Sequence, residues 1–441
     1  MLITASSHQL SAILWFVPLL MTVTAGCEES AMQCSILTNH LVQHVLEADK
    51  GNNATLTSWC FDDLTSDGDN YSTYVTSVKV AYSQGGAALE TTYVAKLNPC
   101  GNVSKSGSLT SSMFEKEGQF YTKLEPALSL ELTALGHESL RVPTFFYVSL
   151  DRGHEVMIME NLQVHGFRMN DRKKGLDVIH ATLVIQELAR LHAASILLKI
   201  NKGPELLNEV LSKDWMNFDK TTHDFLKLKY SGHVDNAIVT LEKIGGYDKT
   251  VAWLRDLKPR ALEILEDQAK DAGPFNVVSH GDCWNNNLLF RYNAEGKPVE
   301  VMLLDLQLIR QASLAIDLNF FLYTSLDGHT RRSNITSFLD TYYECFKSVI
   351  ESAQRDMPFT QEAFKQEFVD KHLYGFLFAI FIIPLSVCRS DQLPKGLTDS
   401  FGKKQENLML DMLDSNPLFR PRFLALFDEM MEDGIITCSI P

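Results

Sequence analysis

The chain has 441 residues, 45% of them hydrophobic and 22% charged, an ordinary globular composition that excludes general disorder and suffices for one bilobal unit or two to three domains. Its net charge of -15 argues against nucleic acid as the main partner, because a phosphate backbone calls for a basic footprint. Any phosphorylated ligand must then be held by local lysines, metal and backbone groups.

In chain order, Leu10 to Ala25 is apolar and ends at Val23-Thr24-Ala25, a signal-peptidase-like site, yet no Lys or Arg precedes it. It is short for a membrane span and Pro18 interrupts it. Residues 1–25 read either as a secretory signal or as an apolar extension with no part in catalysis. Sequons at Asn53, Asn70, Asn102 and Asn334 would permit glycosylation on the secretory route. A glycan on Asn70 would obstruct the loop assigned below to a nucleotide, which favours a cytoplasmic chain. The eight cysteines, Cys27, Cys34, Cys60, Cys100, Cys283, Cys345, Cys388 and Cys438, show no CxxC or metal-ligand spacing, so reduced, incidental thiols are expected.

Ile36 to Ala48 has the pattern of a short amphipathic helix, with Leu37, Leu41, His44 or Val45, and Ala48 on one face. A β-rich region follows: Trp59-Cys60-Phe61, a turn cluster at Thr65 to Asn70, alternation from Tyr74 to Tyr82, a turn at Ser83 to Gly86, and a returning strand from Thr91 to Leu97. Such a strand–loop–strand unit can cover nucleotide phosphates. In the returning strand Thr92, Val94 and Lys96 share one face, and Tyr93, Ala95 and Leu97 the other.

Alone, Lys96 is an ordinary strand-end lysine. The next segment changes that reading. Ser112 to Glu115 forms a capping box opening a helix that runs to about Leu124, before Pro126, and Glu117 falls in an apolar stripe with Phe114, Tyr121 and Leu124. A carboxylate there needs a cation. A Lys96–Glu117 pair would aim the ammonium at the α- and β-phosphates of ATP.

Glu155 to Leu162 is an apolar strand ending at Glu160-Asn161, suited to a hinge where backbone near Met159 to Asn161 reads an adenine edge. Asp177 to Ile200 is a long helix on which His192 reads as a hydrogen-bonded structural histidine. More helices follow through Asp271. Tyr342 to Ala353 and Phe364 to Ile383 are also helical, the latter a core helix stopped by Pro384 and too short to span a membrane.

Between these helices, Asn276 to Asp305 carries the chemistry. His280-Gly281-Asp282 followed by Asn287 has the spacing of the kinase loop H-R-D-x-x-x-x-N, with Gly for Arg. Asp282 is placed to accept a hydroxyl proton and Asn287 to offer an amide oxygen to Mg²⁺. A hairpin then leads to Asp305-Leu306-Gln307 in the place of D-F-G, making Asp305 the principal metal ligand. Taken alone each piece is a polar strand end; their order, with Lys96 and Glu117 upstream, is the signal.

Further pieces are Gly68-Asp69-Asn70-Tyr71-Ser72, Lys96 before Pro99, FEKEGQFY at Phe114 to Tyr121, Glu160-Asn161-Leu162, and GFRMNDRKKGLD at Gly166 to Asp177. LARLHAAS at Leu188 to Ser195, HGDCWNNN at His280 to Asn287 and LLDLQ at Leu303 to Gln307 complete the set. From about Leu41 to the C-terminal helices the chain resembles the ecdysteroid kinase-like, or CHK kinase-like, family, related to choline kinases and aminoglycoside phosphotransferases.

The resemblance implies an α+β, protein-kinase-like bilobal fold, with a small β-rich N-lobe at 36–162 and a larger, mainly helical C-lobe at 163–441. It implies ATP and Mg²⁺ as cofactors and phosphorylation of a small-molecule hydroxyl, on an ecdysteroid-like or other lipophilic alcohol, without nucleic acid or a stable membrane span. Gly68, Asn70 and Ser72 then join Lys96, Glu117 and Glu160 on the nucleotide side, with Asp282 catalytic and Asn287 and Asp305 on the metal. Leu306 stands where the family more usually has Phe, and Asp317 matches a position that braces the catalytic loop. The alternative is a kinase-like ligand-binding protein without turnover. Protein phosphorylation is disfavoured by the missing A-P-E element.

Overall fold

The computed structural model describes residues 36–62, 74–98, 105–151, 154–211, 220–270, 272–389 and 403–436. The leader at 1–25, the sequons at Asn70 and Asn102, and the loop residues Gly68, Asn70 and Ser72 lie outside these ranges.

Helix α1 (Asn39–Lys50) starts where the Thr38 hydroxyl accepts the Leu41 N–H at 3.2 Å, and Leu41, Val42, Val45 and Leu46 form its buried face. That face packs on one side of a five-stranded antiparallel sheet of order β1-β2-β3-β5-β4. Its strands are β1 (Thr55–Asp62), β2 (Tyr74–Gln84), β3 (Ala87–Leu97), β4 (Phe145–Ser149) and β5 (Val156–Glu160). Alternation divides β3 as expected. Tyr93, Ala95 and Leu97 enter the core beneath α1, while Val94 turns to the other face against Phe114, Met157 and Met159.

Between β3 and β4, helix α2 (Lys105–Gln119) runs into a π-helical turn (Phe120–Leu124) and then α3 (Glu125–Thr133). This corrects two expectations. Ser112 does not cap the helix, which is already running from Lys105; nor does Pro126 end it. The Glu125 N–H reaches back to the Phe120 carbonyl, and this wider turn puts Pro126 in the first turn of α3, where a missing N–H is harmless.

A short strand β6 (Phe167–Arg168) leads to the helical lobe. Asp177 caps α4 (Val178–Lys202), accepting the N–H groups of Ile179 at 2.9 Å and His180 at 3.0 Å. Then come α5 (Glu205–Leu211), α6 (Lys220–Ile244), α7 (Asp248–Leu257) and α8 (Ala261–Gln268). Strands β7 (Asn276–Ser279) and β10 (Arg310–Ser313) pair antiparallel, while β8 (Leu288–Tyr292) lies between β6 and β9 (Pro298–Leu303). The chain ends in α9 (Leu314–Ser325), α10 (Gly328–Ser352), α11 (Gln361–Asp370), α12 (His372–Val387), α13 (Lys403–Ser415) and α14 (Phe419–Glu432).

Helix α9 is buried along its whole length and α12 almost so. At Gly375 a β-carbon would strike the Asn319 carbonyl, so glycine is what lets α12 approach α9. The expected stop at Pro384 does not occur. The helix continues to Val387, with Pro384 inside it, because apolar packing on every side outweighs one lost N–H bond. Among the described residues one helix, α4, is long and apolar enough to cross a membrane, and most of it is buried in this lobe.

Candidate active site

The site is built where β7 ends. Gly281 has φ +80, and a β-carbon there would collide with the Leu308 carbonyl. That contact explains why the loop reads His-Gly-Asp: the backbone passes too close to the Asp305–Leu308 segment for a side chain. Gly281→Ala is expected to cost at least about 2 kcal/mol of stability, read as a lower urea midpoint at unchanged slope.

Asp317, at the start of α9 and fully buried, clamps this loop from below. Its Oδ1 accepts from Ser279 Oγ at 2.7 Å and Gly281 N–H at 2.9 Å; its Oδ2 accepts from His280 N–H at 2.6 Å and pairs with His192 Nε2 at 3.0 Å. His192 Nδ1 in turn lies 2.7 Å from the Tyr342 hydroxyl. Burial pushes the Asp317 carboxyl up, but the hydrogen bond and charge of His192 and the loop amides overcome it and hold the pKa at about 2. His192 is thus structural, as expected, yet more specific than a bland helix histidine: it orients the carboxylate that orients the loop. Its link to Asp317 spans 125 residues, beyond any local pattern.

Held this way, Asp282 is 1% exposed, and Asn287 Nδ2 donates to its Oδ2 at 2.8 Å and to its carbonyl at 2.9 Å. Both Asn287 donors are therefore spent on Asp282, which leaves its amide oxygen for another ligand. Burial first, and then the neighbouring Asp305 charge, raise the Asp282 pKa well above the usual carboxylate range; Asn287 and Lys96 oppose this. The Leu304 N–H bonds the Asn287 carbonyl at 2.9 Å, tying the loop to the residue before Asp305.

Asp305 follows β9 in left-handed backbone, φ 63, a conformation that among the described non-glycine residues only Gln354 shares. Such strain costs on the order of 1–3 kcal/mol and persists where surroundings enforce it. Here Lys96 does so. Its Nζ lies 2.5 Å from Glu117 Oε2 and 2.6 Å from Asp305 Oδ1, while Gln307 donates to Asp305 Oδ2 at 3.2 Å. Burial works against the charged lysine, but the two carboxylates raise its pKa. Glu117 is shifted upward, chiefly by burial, with Lys96 opposing and Asp305 adding.

The structure therefore brings together Lys96, Glu117 and Asp305, and joins Asn287 to Asp282 in the same field. Glu160 stands apart. It ends β5, and its Oε1 accepts the Thr144 N–H at 2.7 Å, so its carboxylate fastens the chain entering β4. Cys60, Cys283, Cys345 and Cys388 are free thiols.

Among the described residues, no cluster of three or more His, Cys, Asp or Glu side chains forms a metal cage. Magnesium in phosphoryl-transfer sites is held by one or two carboxylates together with substrate phosphates, so the donor set of Asp305 and the Asn287 amide oxygen fits it. Charge agrees: Glu117, Asp282 and Asp305 face Lys96 and, at Asp282, the Arg310 charge, three carboxylates against two cations, and a further cation would balance the excess.

No curated protein matches the chain. Solved structures similar to it include the ethanolamine kinase of Plasmodium vivax, at 12% identity and TM-score 0.40 over 92% of this chain and 100% of that one. The choline kinase of Cryptosporidium parvum is 13% identical, with TM-score 0.35 over 87% and 91%. A spectinomycin phosphotransferase in complex with ADP and spectinomycin is 10% identical, with TM-score 0.38 over 88% and 98%. A family profile matches residues 67–355, most of the chain, and by that match the protein belongs to the ecdysteroid kinase-like family.

Proposed function

We propose that the protein is a magnesium- and ATP-dependent phosphotransferase acting on a hydroxyl of a small molecule, an ecdysteroid-like or other lipophilic alcohol. The observation that carries this reading is the convergence of Lys96 on both Glu117 and Asp305, beside an Asp282 held by Asn287. Glu117 fixes the lysine from the N-terminal lobe, and Asp305 reaches it from the C-terminal lobe, so one ammonium spans the cleft between them.

In the proposed reaction Lys96 neutralises the nucleotide phosphates, and Glu117 keeps it from swinging away. Asp305 and Asn287 would hold magnesium, which supplies charge stabilisation for the phosphate oxygens. Asp282 orients the acceptor hydroxyl and takes its proton as the oxygen attacks the γ-phosphorus; the leaving oxygen departs with ADP. An upward-shifted carboxyl matches a base that must accept a proton without forming a strong acid. Burial keeps bulk water from competing with the alcohol.

Lys96→Met and Glu117→Gln are each expected to lower acceptor-dependent ADP release by about 10²-fold, by analogy with removal of one preorganised charge-stabilising donor. Magnesium-ATP should also raise the thermal midpoint of the wild type more than that of Lys96→Met. If magnesium-ATP stabilises neither protein, the phosphotransfer reading fails and the fold serves ligand binding alone.

A further inference from the structure

Helix α4 serves the site twice. His192 orients Asp317 beneath the catalytic loop, and Glu187, on the same helix, is 2% exposed and stands outside the reacting groups. A buried carboxylate is costly unless it is paired and hydrogen-bonded. Glu187 is both. Its Oε1 accepts the Arg141 N–H at 2.8 Å, and its Oε2 lies 2.5 Å from Arg190 Nη1. Burial raises its pKa, while the Arg190 charge, and then the Arg141 N–H, oppose the rise.

What this carboxylate holds is the connection between α3 and β4. Arg190 donates to the Glu138 and Ser139 carbonyls, the latter at 2.9 Å, so Glu187 and Arg190 together bind the backbone from Glu138 to Arg141. Arg141 passes the hold to β9. Its carbonyl accepts the Leu303 N–H at 2.9 Å, and its guanidinium meets Glu300 Oε1 at 2.9 Å. Strand β9 is an edge strand, paired with β8 on one side, so the Arg141 carbonyl stands where a further strand would be. At the next residue the Leu304 N–H bonds the Asn287 carbonyl. The two residues before Asp305 are therefore gripped from opposite sides.

That grip matters because of Asp305 itself. Its left-handed backbone costs on the order of 1–3 kcal/mol, and Lys96 helps to enforce it. In the proposed reaction Lys96 turns to the nucleotide phosphates, and the backbone anchors must then hold the strained residue. One anchor is Asn287 of the catalytic loop. The other is Arg141, whose own amide is fixed by Glu187.

We propose that Glu187 is a positioning residue: through the amide and carbonyl of Arg141 it fixes the end of β9, and so keeps Asp305 set for magnesium when Lys96 turns to the nucleotide. This rests on the phosphotransfer reading above.

The test uses the full chain with Glu187→Gln, which keeps the size and one oxygen but removes the charge that Arg190 meets. With ATP in excess, the thermal midpoint is followed as magnesium is added. The magnesium concentration for half the full stabilisation is expected to rise about tenfold, the low end for loss of a group supporting a metal ligand. Stabilisation by ATP without magnesium should be unchanged, since Lys96 and Glu117 are untouched. In the chain without nucleotide, amide exchange at Leu303 and Leu304 should accelerate by about tenfold relative to α9, the factor for loss of one charge-assisted hydrogen bond. Arg190→Met, which leaves Glu187 in place, should move both readouts the same way and decides the matter if Glu187→Gln does not fold. A lower midpoint with an unchanged magnesium requirement, or exchange that accelerates equally in α9, makes Glu187 a purely structural residue and overturns the proposal. Absence of magnesium-ATP stabilisation in the wild type is a different result: it overturns the phosphotransfer reading, and the positioning role with it.

Discussion

Asp282→Asn is expected to lower acceptor-dependent ADP release by about 10²–10⁴-fold, the range for loss of a positioned general base. The substitution keeps the size and burial of the side chain but removes its ability to accept a proton. The loop should survive, because Asp317 holds it through the His280 and Gly281 amides and not through Asp282. Stabilisation by magnesium-ATP should persist, since Lys96 and Asp305 are untouched. A variant whose turnover stays within tenfold of wild type would remove Asp282 from the role of base.

The second large effect is on stability. Asp317→Asn is expected to cost about 2–4 kcal/mol, since each buried group left without its hydrogen-bond partner costs about 1–3 kcal/mol. An amide accepts with one atom where the carboxylate accepts with two, so some of the donors from Ser279, His280, Gly281 and His192 lose their acceptor. The pH dependence follows from the depressed pKa, about 2 when folded against a model value of 3.8. The unfolded chain binds the proton first as pH falls, so the Asp317 contribution is full above pH 3.8 and is lost on descent to about 2. Urea midpoints of wild type and variant should therefore differ most near neutrality and converge in acid. A gap that is constant across that range would show that the carboxylate charge is not what matters.

Much of this site is legible because its parts carry local patterns. Lys96 stands out as the one cation in an alternating strand, and Glu117 as a carboxylate in an apolar helical stripe, and the structure places them 2.5 Å apart. The spacing from Asp282 to Asn287 and the apolar run into Asp305 announce a hairpin, and β8 and β9 form it. What no local pattern shows is closure over distance. Lys96 also holds Asp305, 209 residues away, and Glu187 meets Arg141 across 46. Glu187 reads as an ordinary polar residue of a helix until the Arg141 amide meets it. Helix ends misled for a related reason. Pro126 and Pro384 are breakers in isolation, but a π turn accommodates the first and surrounding apolar packing the second.

Lys96 joined to Asp305 also describes how the two lobes meet. This ion pair is 7% exposed on the lysine and 23% on the aspartate, so solvent reaches it from the Asp305 side. In the proposed reaction Lys96 would turn to the nucleotide phosphates and Asp305 would hold magnesium, so nucleotide binding would replace one contact by several.

The most direct measurement incubates the full chain with magnesium, ATP labelled in the γ-phosphate and a small-molecule metabolite extract, then separates the products. Phosphate transfer to an alcohol predicts a new labelled small molecule with the wild type and none with Asp282→Asn. Label found only in inorganic phosphate and ATP, or the same product from the variant, would contradict it.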